Sequence, residues 1–180
     1  NLLNILLNKT RKVIYKGVEM EFFIPNPLNK YRIKTFSNKE PDTLNWIESF
    51  ENESIFWDVG SNIGLYSIYA AKYNNAKVYS FEPSVFNLEY LAKNIHKNSL
   101  SGEILIFPLA LSNSLSHNLF KMNNPVWGGA LSSFGEDYDQ NGKNFNMTFQ
   151  YTIPGLSALN AIQYFKLLPP DYIKIDVDGI

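Results

Sequence analysis

Polar or glycine-rich segments follow three short apolar runs of this sequence, at the point where each run ends. A turn bracketed by glycines, residues 60–64, follows the first run, Glu82 follows the second, and Asp176 and Asp178 follow the last. In open parallel sheets, ligands bind beyond the carboxyl ends of the strands. The three features are therefore predicted to meet in one ligand site.

The turn at residues 60–64 suits a ligand with an anionic group. Gly60 can adopt a backbone conformation that a side chain would resist, and it lets a ligand approach the main chain. Free N–H groups at the start of the following helix favour a ligand carboxylate. Gly64 is expected to let that helix pack closely on the strand. Ser61 and Asn62 lie inside the turn and are predicted to contact the ligand.

Glu82 lies roughly 20 residues past the turn, where a ribose-binding acid is expected. A carboxylate can accept hydrogen bonds from both ribose hydroxyls, and Pro83 would fix its orientation by stiffening the backbone. Ala110, just past the third predicted strand, is small and is expected to lie near an adenine edge. Together these residues predict a nucleoside site.

The turn also indicates which nucleoside is bound. The dinucleotide fingerprint is Gly-x-Gly-x-x-Gly, whereas this turn reads GSNIG and has no middle glycine. Asp58, just before the turn, would be poorly placed near phosphates and suits a cationic ligand. S-adenosylmethionine carries an ammonium, a sulfonium and a carboxylate, so we expect it as the cofactor, and a nicotinamide dinucleotide is disfavoured.

Several motifs, in order, resemble those of the FkbM family of methyltransferases. They are residues 56–64 (FWDVGSNIG), 80–83 (SFEP) and 173–179 (IKIDVDG), with Glu40-Pro41 upstream. The resemblance implies a Rossmann-like class I methyltransferase fold and methyl transfer to a hydroxyl oxygen, often on a sugar or a natural product. Asp178 stands where the family usually has Glu, and Ser157 stands where it commonly has Asp.

Methyl transfer requires an acceptor oxygen aligned with the methyl group and helped by a general base. Asp176 is placed by position beside the methyl group, as base or as ligand of the cofactor's ammonium, and Asp178 is a second candidate base. The loop at residues 123–129 is expected to face the acceptor. Its Trp127 either stacks on the ligand or pins the loop to the domain. No residues have metal-ligand spacing, so no metal is expected.

The elements that position these residues alternate between strand and helix from residue 54 onward. This order, with short connections, predicts an α/β fold with parallel strands covered by helices. The predicted core strands are 55–59, 77–81, 104–107 and 172–177, and the predicted helices are 63–73, 84–98 and 156–167.

We expect residues 1–50 to form a lead-in of short strands and a helix capped by Asp42, and residues 51–180 to form the cofactor-binding domain. Because the chain begins at Asn1 and stops at Ile180, just after a motif that should continue, we expect a fragment whose sheet is truncated after its fourth core strand. Such a sheet would expose an edge. The oligomeric state stays open.

Composition excludes several other classes of protein. The net charge of −1 and the absence of a long basic run argue against nucleic acid as the main partner. The chain has no cysteine for disulfides or thiol catalysis, and no apolar stretch long enough to span a bilayer. We expect a cytoplasmic enzyme with a small-molecule or glycan acceptor. The alternative is a nucleoside-binding domain that has lost its chemistry.

Overall fold

The computed structural model describes residues 8–138 and 142–177 of the 180-residue chain. Strands β1 (Thr10–Tyr15) and β2 (Val18–Phe23) pair antiparallel around a turn at Lys16 and Gly17. Three helices follow: α1 (Pro27–Lys34), α2 (Phe36–Lys39) and α3 (Pro41–Glu48). The sequence pattern does not predict the first two. The expectation that Asp42 caps a helix is wrong, because Glu40 occupies the cap position of α3 and Asp42 lies in its first turn.

The rest of the chain has the predicted strand–helix alternation. In chain order the elements are β3 (Ile55–Val59), α4 (Leu65–Tyr73), β4 (Lys77–Phe81), α5 (Val85–Lys97), β5 (Ile104–Phe107), β6 (Ala110–Leu111), β7 (Ser116–Met122), β8 (Ser132–Phe134), β9 (Phe149–Leu156), α6 (Ala158–Phe165) and β10 (Tyr172–Ile175). Four strands form a parallel sheet in the order β10-β3-β4-β5. The fold is therefore α/β and Rossmann-like, as predicted.

Both faces of the parallel sheet are covered, as is usual for such sheets. Along β3 and β4, successive side chains enter different hydrophobic clusters because they point to opposite faces. Phe56 and Val78 pack on one side with α4 and α5, whereas Trp57 and Tyr79 pack on the other side with α6. The sheet is thereby fixed between two layers, and its carboxyl edge is held in place.

The first 50 residues share the larger of these clusters. Met20, Ile33 and Leu44 are buried in it together with Phe56 and Leu91. One hydrophobic core therefore extends across residue 50, where we placed the end of the lead-in.

Asn94 of α5 and Asn98, the C-cap residue of the same helix, attach the hairpin to the sheet layer. Asn94 Oδ1 accepts a hydrogen bond from the Phe23 backbone N–H at 2.9 Å, and Asn98 Oδ1 accepts one from the Glu21 N–H at 3.0 Å. The backbone of β2 thus finds partners in side chains of α5, which fixes the position of the helices that follow it.

A second sheet, in the order β6-β9-β7-β8, stands next to the carboxyl edge of the parallel sheet. Strands β7 and β9 flank a long connecting segment, and β8 lies inside that segment. At the other end, β10 is an edge strand of the described sheet, with Ile173 43% and Ile175 64% exposed. In the described part of the chain, no helix combines the length and apolar character of a membrane span.

Candidate functional site

A cavity of about 650 Å³ lies at the carboxyl ends of the four parallel strands. Six of the residues predicted to bind a ligand line it: Gly60, Asn62, Glu82, Pro83, Ala110 and Asp176. A smaller cavity of about 50 Å³ shares five wall residues with it and adds Ser61; the shared residues are Arg32, Lys39, Gly60, Asn62 and Asp176. Asp58 and Gly64 line neither cavity, and Asp178 lies outside the described residues.

Glu82 is a buried polar group in the wall of the larger cavity. Its Oε2 accepts a hydrogen bond from the Asn62 N–H at 2.7 Å, and its Oε1 accepts one from the Ser84 N–H at 2.8 Å. Burial raises the pKa of Glu82 to about 7, against the opposing effect of these donors. Each carboxylate oxygen can accept more than one hydrogen bond. Glu82 is therefore oriented by the protein and can still accept from a ligand.

We expected free N–H groups at the start of the following helix, from residue 63 onward. The N–H groups of residues 63 and 64 instead have protein acceptors, as do the others of the glycine turn, and the helix begins only at Leu65. Gly60 and Ser61 both donate to the Phe81 carbonyl, and Gly64 donates to the Ser61 carbonyl. The N–H of Asn62 donates to Glu82, and the next N–H donates to the Asn62 side chain. An anionic ligand group would have to find its donors elsewhere.

The two glycines are required by protein contacts. A Cβ at Gly60, whose φ is +81°, would lie 2.1 Å from the Asp176 carbonyl oxygen, so the turn packs directly against the end of β10. A Cβ at Gly64, whose φ is +85°, would lie 2.6 Å from Leu91 Cδ1 of α5. Gly64 therefore allows close packing between helices, whereas we expected it to allow packing on the strand. It also ends the turn, because α4 begins at Leu65.

We expected Asp58 to face a cationic ligand. Instead it lies beneath the turn and is fully buried, outside both cavities. Its Oδ2 accepts from the Ser67 hydroxyl at 2.6 Å, and Ser67 Oγ lies 2.8 Å from Ser80 Oγ. Burial raises the pKa of Asp58, while Lys174 at 3.8 Å and Ser67 favour its charged form. Asp58 of β3 is paired in register with Lys174 of β10 on one side and with Ser80 of β4 on the other. The three side chains form a polar row inside the sheet.

Lys174 connects this buried row to the cavity. Its Nζ lies 2.9 Å from Asp176 Oδ2 and 5.0 Å from the centre of the Tyr66 ring. Asp176, with its side chain 61% exposed, lies in the wall of both cavities. Burial and the Glu40 carboxylate raise the pKa of Tyr66, so its hydroxyl stays protonated at neutral pH. The predicted catalytic residue Asp176 is thus held by an ion pair that sequence reasoning missed.

The loop at residues 123–129 is fixed by polar side chains on both sides. The Gly129 carbonyl accepts from Asn62 Nδ2 at 2.8 Å and from Asn87 Nδ2 at 3.1 Å, and Arg32 Nε donates to the Gly128 carbonyl at 2.7 Å. Gly129 lines the larger cavity. The loop therefore forms part of the cavity wall, and its role toward an acceptor stays a prediction.

Trp127 pins this loop to the domain, which was one of the two roles considered for it. Its ring packs edge-on against Tyr90 with centroids 5.3 Å apart, and its Nε1 donates to Glu89 at 3.1 Å. Trp127 lines neither cavity.

Pro83 and Ala110, two further residues predicted to bind the ligand, lie in the wall of the larger cavity. Pro83 is held through its carbonyl, which accepts from the Tyr151 hydroxyl at 2.7 Å, and the small Ala110 lies at the start of the second sheet. His96 and His117 are exposed and line neither cavity. No group of three His, Asp or Glu side chains suited to a metal ion is present in the described residues.

Three residues of the site carried no signal in the sequence patterns. Arg32 and Lys39 come from the unpredicted helices α1 and α2, and Asn87 comes from the buried side of α5. One signal could have indicated α1: Asn26 before Pro27 is typical of a helix start, and the Asn26 side chain accepts from the Asn29 N–H at 2.8 Å.

No protein-family model matches this sequence. Over 163 residues, 91% of this chain, it is 23% identical to hexuronic acid methyltransferase AglP of Haloferax volcanii, and it spans 62% of that relative's length. Among solved structures it is similar to M. jannaschii TYW2 in complex with AdoMet, with a TM-score of 0.42 and 22% identity over 56% of this chain and 43% of that one. It is also similar to precorrin-6y C5,15-methyltransferase of Geobacter metallireducens GS-15, with a TM-score of 0.34 and 19% identity over 38% and 36% of the two chains. Both TM-scores are below 0.5, so neither carries weight for fold or function.

Proposed function

We propose that this chain forms the S-adenosylmethionine-binding core of a methyltransferase that acts on a hydroxyl oxygen of a sugar, a glycan or a natural product. The observation that carries the proposal is the position of Glu82, a buried and oriented carboxylate in the cavity wall between the glycine turn and Ala110. The sequence similarity to a hexuronic acid methyltransferase supports a sugar acceptor. The order of the motifs supports membership of the FkbM family.

The residues present fit the cofactor. The volume of the larger cavity lies within the ~300–1,000 Å³ usual for small-molecule sites. Ser61 Oγ is buried without a hydrogen-bond partner in the described structure, and Ser61 lines the smaller cavity. Buried polar groups without a partner are rare in proteins. Glu82 would hold the ribose hydroxyls, Ala110 would leave room for the adenine, and Ser61 and Asn62 would contact the amino-acid part.

Bound S-adenosylmethionine would supply an electrophilic methyl group on its sulfonium. The chain's own contribution is to hold the acceptor oxygen in line with that methyl group and to exclude water. Asp176 can take the proton from the acceptor hydroxyl, or it can bind the cofactor's ammonium. In either role its carboxylate is fixed by the ion pair with Lys174. Asp178 stays a second candidate base.

The function is tested by methyl transfer in the full-length protein. We would incubate it with methyl-labelled S-adenosylmethionine and a panel of neutral sugars, uronic acids and glycans, with Glu82→Ala as the inactive control. We expect label on the acceptor in a linkage that resists mild base, because an ether at a hydroxyl oxygen is stable there. Label released by base would indicate an ester and contradict hydroxyl transfer. Cofactor binding without transfer to any acceptor would favour a domain that has lost its chemistry.

A further inference from the structure

A carboxylate bound at this site needs donors outside the glycine turn. The five N–H groups of residues 60–64 have protein acceptors. The first turn of α4 already faces an anion, because the Ser67 hydroxyl and N–H both stabilise the Asp58 carboxylate. A second carboxylate there would meet a buried negative charge. The N–H groups of residues 60–64 and of Ser67, which an anion at a helix N-terminus would use, are therefore taken by the protein itself.

Two cations stand where the cavities meet. Arg32 and Lys39 line both the larger and the smaller cavity, together with Gly60, Asn62 and Asp176. The bond from Arg32 Nε to the Gly128 carbonyl uses one of the five N–H donors of the guanidinium and fixes its direction. Lys39 Nζ lies 3.2 Å from Glu40 on the surface of α2. These side chains place positive charge in the wall that the two cavities share.

The same small cavity carries negative charge as well. Glu40 and Asp176 line it beside the two cations. Its volume of about 50 Å³ is several times the roughly 10–15 Å³ that one water molecule needs. A pocket of this size, with both signs of charge in its wall, suits the carboxylate and ammonium of an amino acid.

We propose that Arg32 and Lys39 form the subsite for the carboxylate of the cofactor's amino-acid tail. The inference rests on the proposed function, because it assumes S-adenosylmethionine in the larger cavity. Glu40 and Asp176 then face the ammonium of the same tail. Arg32 also joins the cofactor site to the loop at residues 123–129, since its Nε holds the Gly128 carbonyl.

The test compares two nucleosides by calorimetry in the full-length protein. S-adenosylhomocysteine has the amino-acid tail, whereas 5′-methylthioadenosine lacks it. We expect Lys39→Ala and Arg32→Ala each to weaken S-adenosylhomocysteine binding about tenfold or more, the effect of losing one charge-assisted bond. Binding of 5′-methylthioadenosine should stay within about twofold. Lys34→Ala, an exposed lysine of α1 outside both cavities, is the matched control.

The outcomes separate this inference from the function beneath it. If the unaltered protein binds neither nucleoside, the proposed function fails. If it binds both and neither variant changes the affinity for S-adenosylhomocysteine, the carboxylate subsite is overturned, even when acceptor binding changes. Because Arg32→Ala can loosen the loop, Lys39→Ala decides the case: equal losses for both nucleosides in that variant also overturn the proposal.

Discussion

The raised pKa of Glu82 makes ligand affinity depend on pH in a defined direction. Burial places the pKa of this carboxyl at about 7 in the free protein, above its usual 4.5. Ribose hydroxyls donate hydrogen bonds to the charged carboxylate, so a bound nucleoside favours ionised Glu82 and lowers its pKa. Binding therefore releases a proton at lower pH, and affinity must rise as the pH rises through 7.

The size of the effect follows from the ionised fraction. With a pKa of about 7, about one-eleventh of Glu82 is ionised at pH 6 and about ten-elevenths at pH 8. Affinity for S-adenosylhomocysteine should therefore increase about tenfold between these values, or about 1.4 kcal/mol. Calorimetry at pH 6, 7 and 8 in buffers of different ionisation enthalpy measures both the affinity and the proton released.

Glu82→Gln is the control, because it keeps the shape and cannot ionise. It should bind more weakly and lose the pH dependence between pH 6 and 8. An affinity that is equal at pH 6 and pH 8 in the unaltered protein would refute the reasoning. A slope retained in Glu82→Gln would assign it to another group, and buried Asp58, whose pKa is also raised, would be next in line.

The raised pKa of Glu82 also makes the free energy of unfolding depend on pH. Between about pH 4.5 and pH 7 the unfolded chain loses the Glu82 proton while the folded chain keeps it, so stability falls as pH rises. The two pKa values correspond to a loss of at most about 3 kcal/mol above pH 7. In denaturant unfolding, Glu82→Gln should not show this loss of stability between about pH 4.5 and pH 7. If its stability varies with pH as in the unaltered protein, Glu82 is not the group responsible.

Three further predictions concern the frame of the site. Asp176→Asn should lower methyl transfer about a hundredfold or more. If its affinity for S-adenosylhomocysteine is unchanged, Asp176 is the general base; if that affinity is lost, Asp176 binds the ammonium. Unchanged turnover would exclude both roles. Lys174→Met should lower the free energy of unfolding by about 3–5 kcal/mol in denaturant unfolding, because Asp58 is left buried without a counter-ion. Adding Asp58→Asn to this variant should restore most of the lost stability. If it does not, the unpaired Asp58 charge is not the cause. Gly64→Ala should lower the free energy of unfolding by about 1–3 kcal/mol more than Gly142→Ala. Gly142 is the control because its φ is also positive but a Cβ there would meet open space. Equal losses would show that packing on α5 is not responsible.

Much of the fold could be predicted because its signals are local. The apolar run at residues 77–81 ends at Glu82-Pro83, and Ser84 caps the next helix by accepting from the Asn87 N–H. Parallel strands bring all such ends to one edge. Glu82 and Asp176 could therefore be assigned to one site from sequence spacing alone, and both line the cavity.

The burial of Asp58 could not be predicted in the same way. Its position before the turn indicated a ligand-facing acid, but its orientation depends on strand register. Lys174 lies opposite Asp58 only because β10 and β3 are paired with that offset. The sequence separation of this ion pair hides it from any local pattern, and an isolated lysine in an apolar strand carries no signal of its partner.

The cations of the site were missed for a related reason. Arg32 and Lys39 belong to short helices with little amphipathic pattern, and only packing in the shared core brings these helices to the cavity. The N–H groups of residues 63 and 64, expected to be free at the start of the helix, donate to Asn62 Oδ1 and to the Ser61 carbonyl instead. These hydrogen bonds depend on the folded path of the turn, so the sequence alone does not show them.

The central claim is that the cavity binds S-adenosylmethionine through Glu82. Titration calorimetry of the full-length protein with S-adenosylhomocysteine and, separately, with NAD tests it most directly. The account predicts saturable one-to-one binding of S-adenosylhomocysteine that Glu82→Ala weakens by at least about 1–3 kcal/mol, and no heat with NAD. Binding of NAD without binding of S-adenosylhomocysteine would contradict it, and an affinity unchanged by Glu82→Ala would remove Glu82 from the site.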